Sequence, residues 1–295
     1  MKIAIYGKTT KNTNFTILGD FLYFLHSQQI DYVLHEEYAS ELRSQPFFKE
    51  HLGIIQNIFR DISDIQDIDF FYCIGGDGTL LNAVRFLKHF TVPVVGVNAG
   101  RLGFLTPIQQ QAIEEVTVEL LNNAWKLDER SLIELSSYPE IFADWNFGLN
   151  EITIHKAISN EMIVVHTFVN GEFLNSYWCD GLIVSTPTGS TAYNLACGGP
   201  LISPNSGTFV LTPIAPHSLT VRPIIVADSS VISFQIESRS GNALVAIDNR
   251  TEIVPAKIEL AVRKSIHKLH LVRAGSRTFF STLRSRLNWG LDPRN

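Results

Sequence analysis

The chain has 295 residues, 45% of them hydrophobic and 18% charged, with a formal net charge of −5. That is the balance of a globular protein long enough for one large domain or two modest ones. It lacks the basic surplus expected of a nucleic-acid binder, so an anionic ligand must be held by local backbone donors and a few cations.

The opening, Lys2–Gly7, reads as a strand; polar residues follow at once, so it is too short for the apolar core of a signal peptide. The expectation is a cytoplasmic protein with no membrane segment. Residues 15–28 carry Phe15, Leu18, Leu22 and Leu25 at helical spacing. Residues 37–50 have a weaker helical pattern and read as a connection. Residues 70–74 form an apolar run ending in Gly-Gly, residues 79–90 return to helical spacing, and residues 92–97 are another apolar run. Strand, glycine turn, helix and strand in that order indicate a parallel sheet with crossover helices. One more helix is expected over residues 109–122.

The period then changes. Residues 131–136, 151–155, 162–169, 182–185, 231–237, 244–248 and 258–262 are short and rich in β-branched residues, which predicts a mostly antiparallel β domain. Asn170-Gly171 is a two-residue hairpin turn. Residues 181–221 contain no Asp, Glu, Lys or Arg, and their prolines exclude a membrane span. The tract suits buried strands and backbone-rich loops, which line a ligand site or simply turn within a core. Residues 278–287 read as a final helix with Arg284 and Arg286 in its last turn. The predicted layout is an α/β domain over 1–106, a β domain over 107–270 and a tail over 271–295. Cys73, Cys179 and Cys197 have no CxxC spacing and read as reduced thiols.

Four blocks carry chemistry. Gly75-Gly76-Asp77-Gly78-Thr79 lies where a strand meets a helix, so a phosphate can approach its N–H groups. It lacks the lysine of a P-loop, and no GxGxxG follows the first strand. Asp77 has two readings: a group that orients or deprotonates a substrate hydroxyl, or the N-cap of a helix starting near Thr79. Residues 98–105, with Asn98, Gly100, Gly103 and Phe104, form a second glycine-rich turn at a strand end, where open α/β sheets bind ligands. Phe104 faces an adenine or belongs to the core. Asn150-Glu151 suits a ribose diol or a solvated strand start. Residues 180–194, from Asp180 through Thr191, Ala192, Tyr193 and Asn194, run from a strand into a small-residue turn with an aromatic ring available for stacking.

In this order the blocks resemble the NAD kinase family, whose pattern runs GGDGT, NxGxxGF, NE and DGxxxSTPTGSTAY. Gly198-Gly199-Pro200, Pro213-Ile214-Ala215-Pro216-His217 and an ending from Leu283 to Trp289 and Gly290 extend the likeness, which covers the chain from about Phe70 onward. The resemblance implies a Rossmann-like N-terminal domain with a parallel sheet, a C-terminal β-sandwich of mostly antiparallel strands, and a tail that returns to the first domain. It implies phosphoryl transfer from ATP to the 2′-hydroxyl of NAD, with Asp77 catalytic. Gly75, Gly76 and Gly78 would lie along the nucleotide and Phe104 on an adenine. Asn150 and Glu151 would bind ribose hydroxyls, Asp180 would contact the dinucleotide, and Thr191, Ala192, Tyr193, Asn194 and Ala196 would wrap its base and ribose. Mg²⁺ would be carried by the nucleotide, and the protein would be a homodimer or homotetramer. Diacylglycerol-kinase-like proteins and phosphofructokinases have similar GGDG loops, but the second pair of blocks is not expected in them.

Two positions depart from the pattern. Trp178 stands where many relatives have a basic residue, so a phosphate contact there is not expected, although the ring is suited to stacking. Asp248-Asn249-Arg250 replaces a frequent Asp-Gly-Gln turn, and Arg250 is the candidate replacement cation. His217 reads as a core histidine or as a group near a subunit junction.

Overall fold

The structure is a computed structural model that describes the chain except residues 56, 88–90, 101, 143–144, 159, 276–277 and 290–295. The chain forms two compact units, Met1–Glu129 with Leu269–Asn295, and Arg130–Lys268.

The first unit begins with β1 (Lys2–Gly7), α1 (Phe15–Ser27), β2 (Asp31–His35), α2 (Glu36–Arg43), α3 (Pro46–Glu50) and β3 (Ile58–Phe59). It continues through β4 (Phe70–Gly75), α4 (Asp77–Val84), β5 (Val94–Asn98), β6 (Ile108–Gln109) and α5 (Ile113–Leu121). The strands pair in parallel in the order β5-β4-β1-β2-β3. Every residue of β4 and β5 is buried, as expected of central strands covered on both faces. Asn14 caps α1, its side chain accepting from the N–H groups of Thr16 and Ile17. Residues 37–50 form two helices rather than a plain connection, because Tyr38, Ala39, Leu42 and Phe48 give them a buried side. The helix read over residues 79–90 starts earlier, at Asp77, and gives way to a 3₁₀ turn at Arg85–Leu87; residues 88–90 lie outside the described residues. The unit also extends past Thr106, because Ile113, Val116 and Leu120 of α5 join the core of Ile3, Phe21 and Tyr72.

The second unit holds most of β7 (Trp125–Tyr138), β8 (Phe147–Gly148), β9 (Glu151–Lys156), β10 (Ile163–Val169), β11 (Glu172–Cys179), β12 (Gly181–Ser185), α6 (Tyr193–Ala196), β13 (Thr208–Ile214), β14 (Ile224–Ala227), β15 (Ile232–Glu237), β16 (Asn242–Ile247), β17 (Arg250–Pro255) and the first part of β18 (Glu259–Ala274). One sheet runs β14-β13-β12-β9-β16-β17; in the other, β11, β10, β15 and β18 are neighbours in that order, and all these pairings are antiparallel. Side chains from both sheets share one core, including Ile152, Leu182 and Phe209 from the first and Val165, Tyr177 and Phe234 from the second. This is a β-sandwich. Asn170 and Gly171 turn β10 into β11 with φ of 52° and 83°, the doubly positive conformation that an Asn-Gly hairpin supplies.

The end of β18 pairs with β5 at Leu271, and Val272 and Ala274 lie in the first unit's core. α7 (Phe279–Leu287) follows, with the Thr278 hydroxyl accepting from the Ser281 N–H. No helix among the described residues is long and apolar enough to cross a membrane.

Candidate active site

In the first unit the glycine turn leads from β4 into α4. Gly76, not Asp77, occupies the cap position, and its N–H donates to the Thr79 hydroxyl at 3.3 Å. The first N–H groups of a helix have no partner within it, so those of Asp77 and Gly78 are placed to meet an anion. The N-cap reading of Asp77 therefore gives way, because its carboxylate reaches across to another loop. Oδ2 accepts from the Phe104 N–H at 2.8 Å; Oδ1 accepts from the N–H groups of Leu105 (3.1 Å) and Thr106 (3.0 Å) and from the Thr106 hydroxyl (2.9 Å). Asn98 extends the network, donating through Nδ2 to the Thr106 hydroxyl at 3.0 Å and accepting the Gly100 N–H at 2.6 Å. The loop comes this close only because residue 103 is glycine: a Cβ there would lie 1.9 Å from Asp77 Oδ1.

Phe104 is partly exposed. Its ring lies 6.5 Å from that of Phe279, and the Arg286 guanidinium is 6.0 Å from its centroid, so the tail packs on the second glycine turn. Arg101 in this turn and Gly290 in the C-terminal block lie outside the described residues.

In the second unit Asn150 and Glu151 are 8% and 7% exposed, which removes the reading of a solvated strand start. The turn after β12 is built on them. The Thr186 N–H donates to the Asn150 carbonyl at 2.8 Å and its hydroxyl to the Leu149 carbonyl at 2.6 Å, while a Cβ on Gly189 would meet the Asn150 oxygen at 2.2 Å. Buried Arg130 donates to the Thr188 hydroxyl at 3.3 Å. Thr191 and Ala192 are partly exposed, and Tyr193 and Ala196 are exposed.

Asn194 is different, and its assignment to the ligand is corrected. Its side chain is wholly buried, donates to the carbonyls of Ser190 (3.3 Å) and Pro200 (3.1 Å) and accepts the Thr212 hydroxyl at 2.6 Å. It braces the turn and has no face to offer a ligand.

Glu151 opposes Ser185 and His155 opposes Gly181, so Asp180 lies at the other end of the strand pair. At about 3.4 Å per residue, Asp180 and Ser185 are about 17 Å apart. Asp180 is bound there by Lys156 Nζ at 2.7 Å, a cation the motifs did not single out. Exposed Trp178 stacks on His217, with centroids 4.8 Å apart and the rings at 28°; His217 is exposed too, so it is not a core histidine.

Sequence motifs also gave no hint of what Asp248 does. Its Oδ2 accepts from the Leu149 N–H at 2.9 Å, and its Oδ1 accepts from those of Asn150 and Glu151 at 2.8 and 3.2 Å. Glu151 Oε2 is buried and has no hydrogen-bond partner among the described residues. Burial, followed by the charge of Asp248, pushes the Glu151 carboxyl up to about 8. Burial raises Asp248 as well, against the opposing pull of its three N–H donors and Arg250. Arg250 itself donates to the carbonyls of Trp145 and Phe147 and lies 5.3 Å from the Phe142 centroid. Among the described residues no cluster of three or more His, Cys, Asp or Glu side chains is arranged to hold a metal ion.

The family described as the ATP-NAD kinase N-terminal domain matches residues 19–124, and the ATP-NAD kinase C-terminal domain matches residues 149–274. An NAD kinase from Cytophaga hutchinsonii is 44% identical over 295 residues, covering all of both chains. The chain belongs to the ATP-NAD kinase family. An NAD kinase from Flavobacterium johnsoniae is 40% identical, again over the full length of both chains. Among solved structures, yeast NADH kinase complexed with NADH superposes with a TM-score of 0.85 at 23% identity, over 99% of this chain and 88% of that one. An Archaeoglobus fulgidus NAD kinase in complex with ATP gives 0.74 at 24% identity, over 98% and 99%. At these identities the superpositions speak to the fold, which is the α/β domain and β-sandwich that the motifs imply. The family match begins at residue 19, well before the Phe70 from which the motifs can be read.

Proposed function

We propose that the protein phosphorylates the 2′-hydroxyl of the adenosine ribose of NAD with ATP as donor, giving NADP. The observation that carries this reading is the Asp77 carboxylate, fixed by four donors at the head of α4. Oδ2 accepts the Phe104 N–H and keeps a lone pair for a substrate hydroxyl, which it orients and relieves of its proton as the phosphoryl group arrives. The N–H groups at the start of α4, with Gly75, Gly76 and Gly78 around them, take the phosphates. Asn150 and Glu151 bind ribose hydroxyls, and Tyr193 stacks on a base, flanked by Thr191, Ala192 and Ala196. Asn194 acts from behind, as a brace.

Among the described residues no group of three or more His, Cys, Asp or Glu stands ready as a metal cage. Mg²⁺ arrives as part of the donor nucleotide. Asp180, paired with Lys156 at the far end of β12, contacts the dinucleotide from another side. A homodimer or homotetramer in the cytoplasm is the state the family resemblance implies.

The test is NADP formation by purified protein given NAD, ATP and Mg²⁺. NADP at a rate proportional to protein is expected. Tight NAD binding without NADP would overturn the reaction and leave a dinucleotide sensor.

A further inference from the structure

The buried Asn150–Glu151 pair needs an explanation for its fixity, because Asn150 is the second of the two loop residues between β8 and β9 and Glu151 only begins the strand. The segment is held from both sides by one hairpin turn. Arg250 binds the carbonyls of residues 145 and 147, and Asp248 binds the N–H groups of residues 149, 150 and 151. The Asp248 N–H returns the contact, donating to the Glu151 carbonyl at 3.0 Å. Asp248 adopts this position with φ of 52°, a left-handed conformation that aspartate tolerates better than most residues.

We propose that Asp248 is a positioning residue of the dinucleotide site, holding Asn150 and Glu151 in their ligand-facing geometry through three main-chain hydrogen bonds. The inference rests on the reading of Asn150 and Glu151 as ribose-binding residues. A buried carboxyl, Glu151, shares this site with the partly exposed Asp248, and among the described residues the donors to a negative charge are on Asp248: three N–H groups, with the Arg250 guanidinium nearby. Glu151 has a partnerless oxygen. The charge therefore resides on Asp248 and the proton on Glu151, which meets the dinucleotide as a neutral hydrogen-bond donor and does not repel its phosphates. Among the described residues Tyr193 and Cys197, on the segment after β12, also sense Glu151, and both are raised. Neither contributes a charge at neutral pH.

The experiment measures NAD affinity by calorimetry and NAD turnover between pH 6 and 9 for the wild type, Asp248→Asn and Glu151→Gln. Wild-type affinity should fall as pH rises through about 8, where Glu151 ionises. Glu151→Gln should flatten that profile. Asp248→Asn keeps one acceptor oxygen but loses the charge and the bond from Leu149. It should raise Kd and KM for NAD about tenfold, leave KM for ATP unchanged, and move the alkaline midpoint to lower pH. Unchanged NAD affinity in a folded Asp248→Asn protein, or a midpoint that stays in place, would overturn the proposal. Should Asp248→Asn fail to fold, the Glu151→Gln profile decides: an undiminished pH dependence overturns the proton assignment. Because binding is read directly, failure of the wild type to make NADP would count against the proposed reaction and not against this inference.

Discussion

Two aspartates in this chain use the same device for different ends. Asp77 receives the N–H groups of residues 104, 105 and 106; Asp248 receives those of residues 149, 150 and 151. Each fastens a loop carrying proposed ligand contacts, and each has a glycine close to its Oδ1, Gly103 in one case and Gly148 in the other. The surroundings differ. Asp77 stands at the first turn of a helix, among glycines and N–H groups that favour an anion. Asp248 sits in a β-hairpin turn against a second carboxyl, Glu151. The clamp is common to both; the neighbours decide whether the carboxylate meets substrate or holds a residue that does.

That distinction predicts its largest effect at Asp77. Asp77→Asn should lower kcat by about 10²–10⁴-fold, the usual contribution of a general base, while the Kd for NAD changes little. Steady-state kinetics beside calorimetry checks this. A loss under about tenfold would place Asp77 in the same class as Asp248 and dissolve the contrast.

The two glycines grade the clamps. A methyl group at residue 103 would lie 1.9 Å from Asp77 Oδ1 and 2.5 Å from the Thr106 hydroxyl, so the carboxylate must move. Gly103→Ala should cost about 1–3 kcal/mol of stability and, since an error of about 1 Å at a reacting group can cost about 10²-fold, most of the turnover. At Gly148 the nearest atom is 2.9 Å away and Asp248 Oδ1 is 3.2 Å away. Gly148→Ala should act mainly on KM for NAD and by less. Thermal melts with kinetics on both variants would expose a reversal of that order.

The Asp77 clamp was half legible in the sequence: GGDGT and NxGxxGF mark both partners, and the strand–turn–helix pattern puts them at adjacent strand ends. What no spacing could show is that the aspartate binds the other loop instead of capping its own helix. The Asp248 clamp was illegible, because it joins residues almost a hundred positions apart and depends on one left-handed turn. Periodicity found β1, α1, β4 and most sandwich strands, whose faces bury regularly. It missed β13, hidden in the uncharged tract where buried strand and loop have the same composition. It placed the domain boundary near residue 106, whereas the apolar side of α5 belongs to the first core. Asn194 was counted with Tyr193 because the family resemblance assigns the whole stretch from Thr191 to Ala196 to the base and ribose, yet one side chain is buried and the other is exposed.

Glu151 gives the second clamp a thermodynamic signature. Its carboxyl titrates near 8 in the folded protein and near 4.5 when unfolded. The folded state thus binds the proton more tightly. The stability this provides is complete below about pH 4.5 and is lost as pH rises to about 8. Glutamine does not titrate, so the melting temperature of Glu151→Gln relative to wild type should climb between those values and level off above them. Burial raises Asp248 in the same direction. A difference that stays flat across the range would mean that the carboxyl pair does not share its proton as described.

The smallest effect belongs to Arg250, and it tests how far the second clamp extends into binding. Its guanidinium donates to two main-chain carbonyls and lies over the Phe142 ring, contacts within the sandwich. Arg250→Ala should therefore cost about 1–2 kcal/mol of stability, the scale of the hydrogen bonds removed, and weaken NAD affinity by less than Asp248→Asn does. Calorimetry at a temperature where both proteins are folded separates the two. If affinity falls sharply while stability holds, Arg250 contacts phosphate after all, and the hairpin turn carries a ligand residue as well as the carboxylate that positions Asn150 and Glu151.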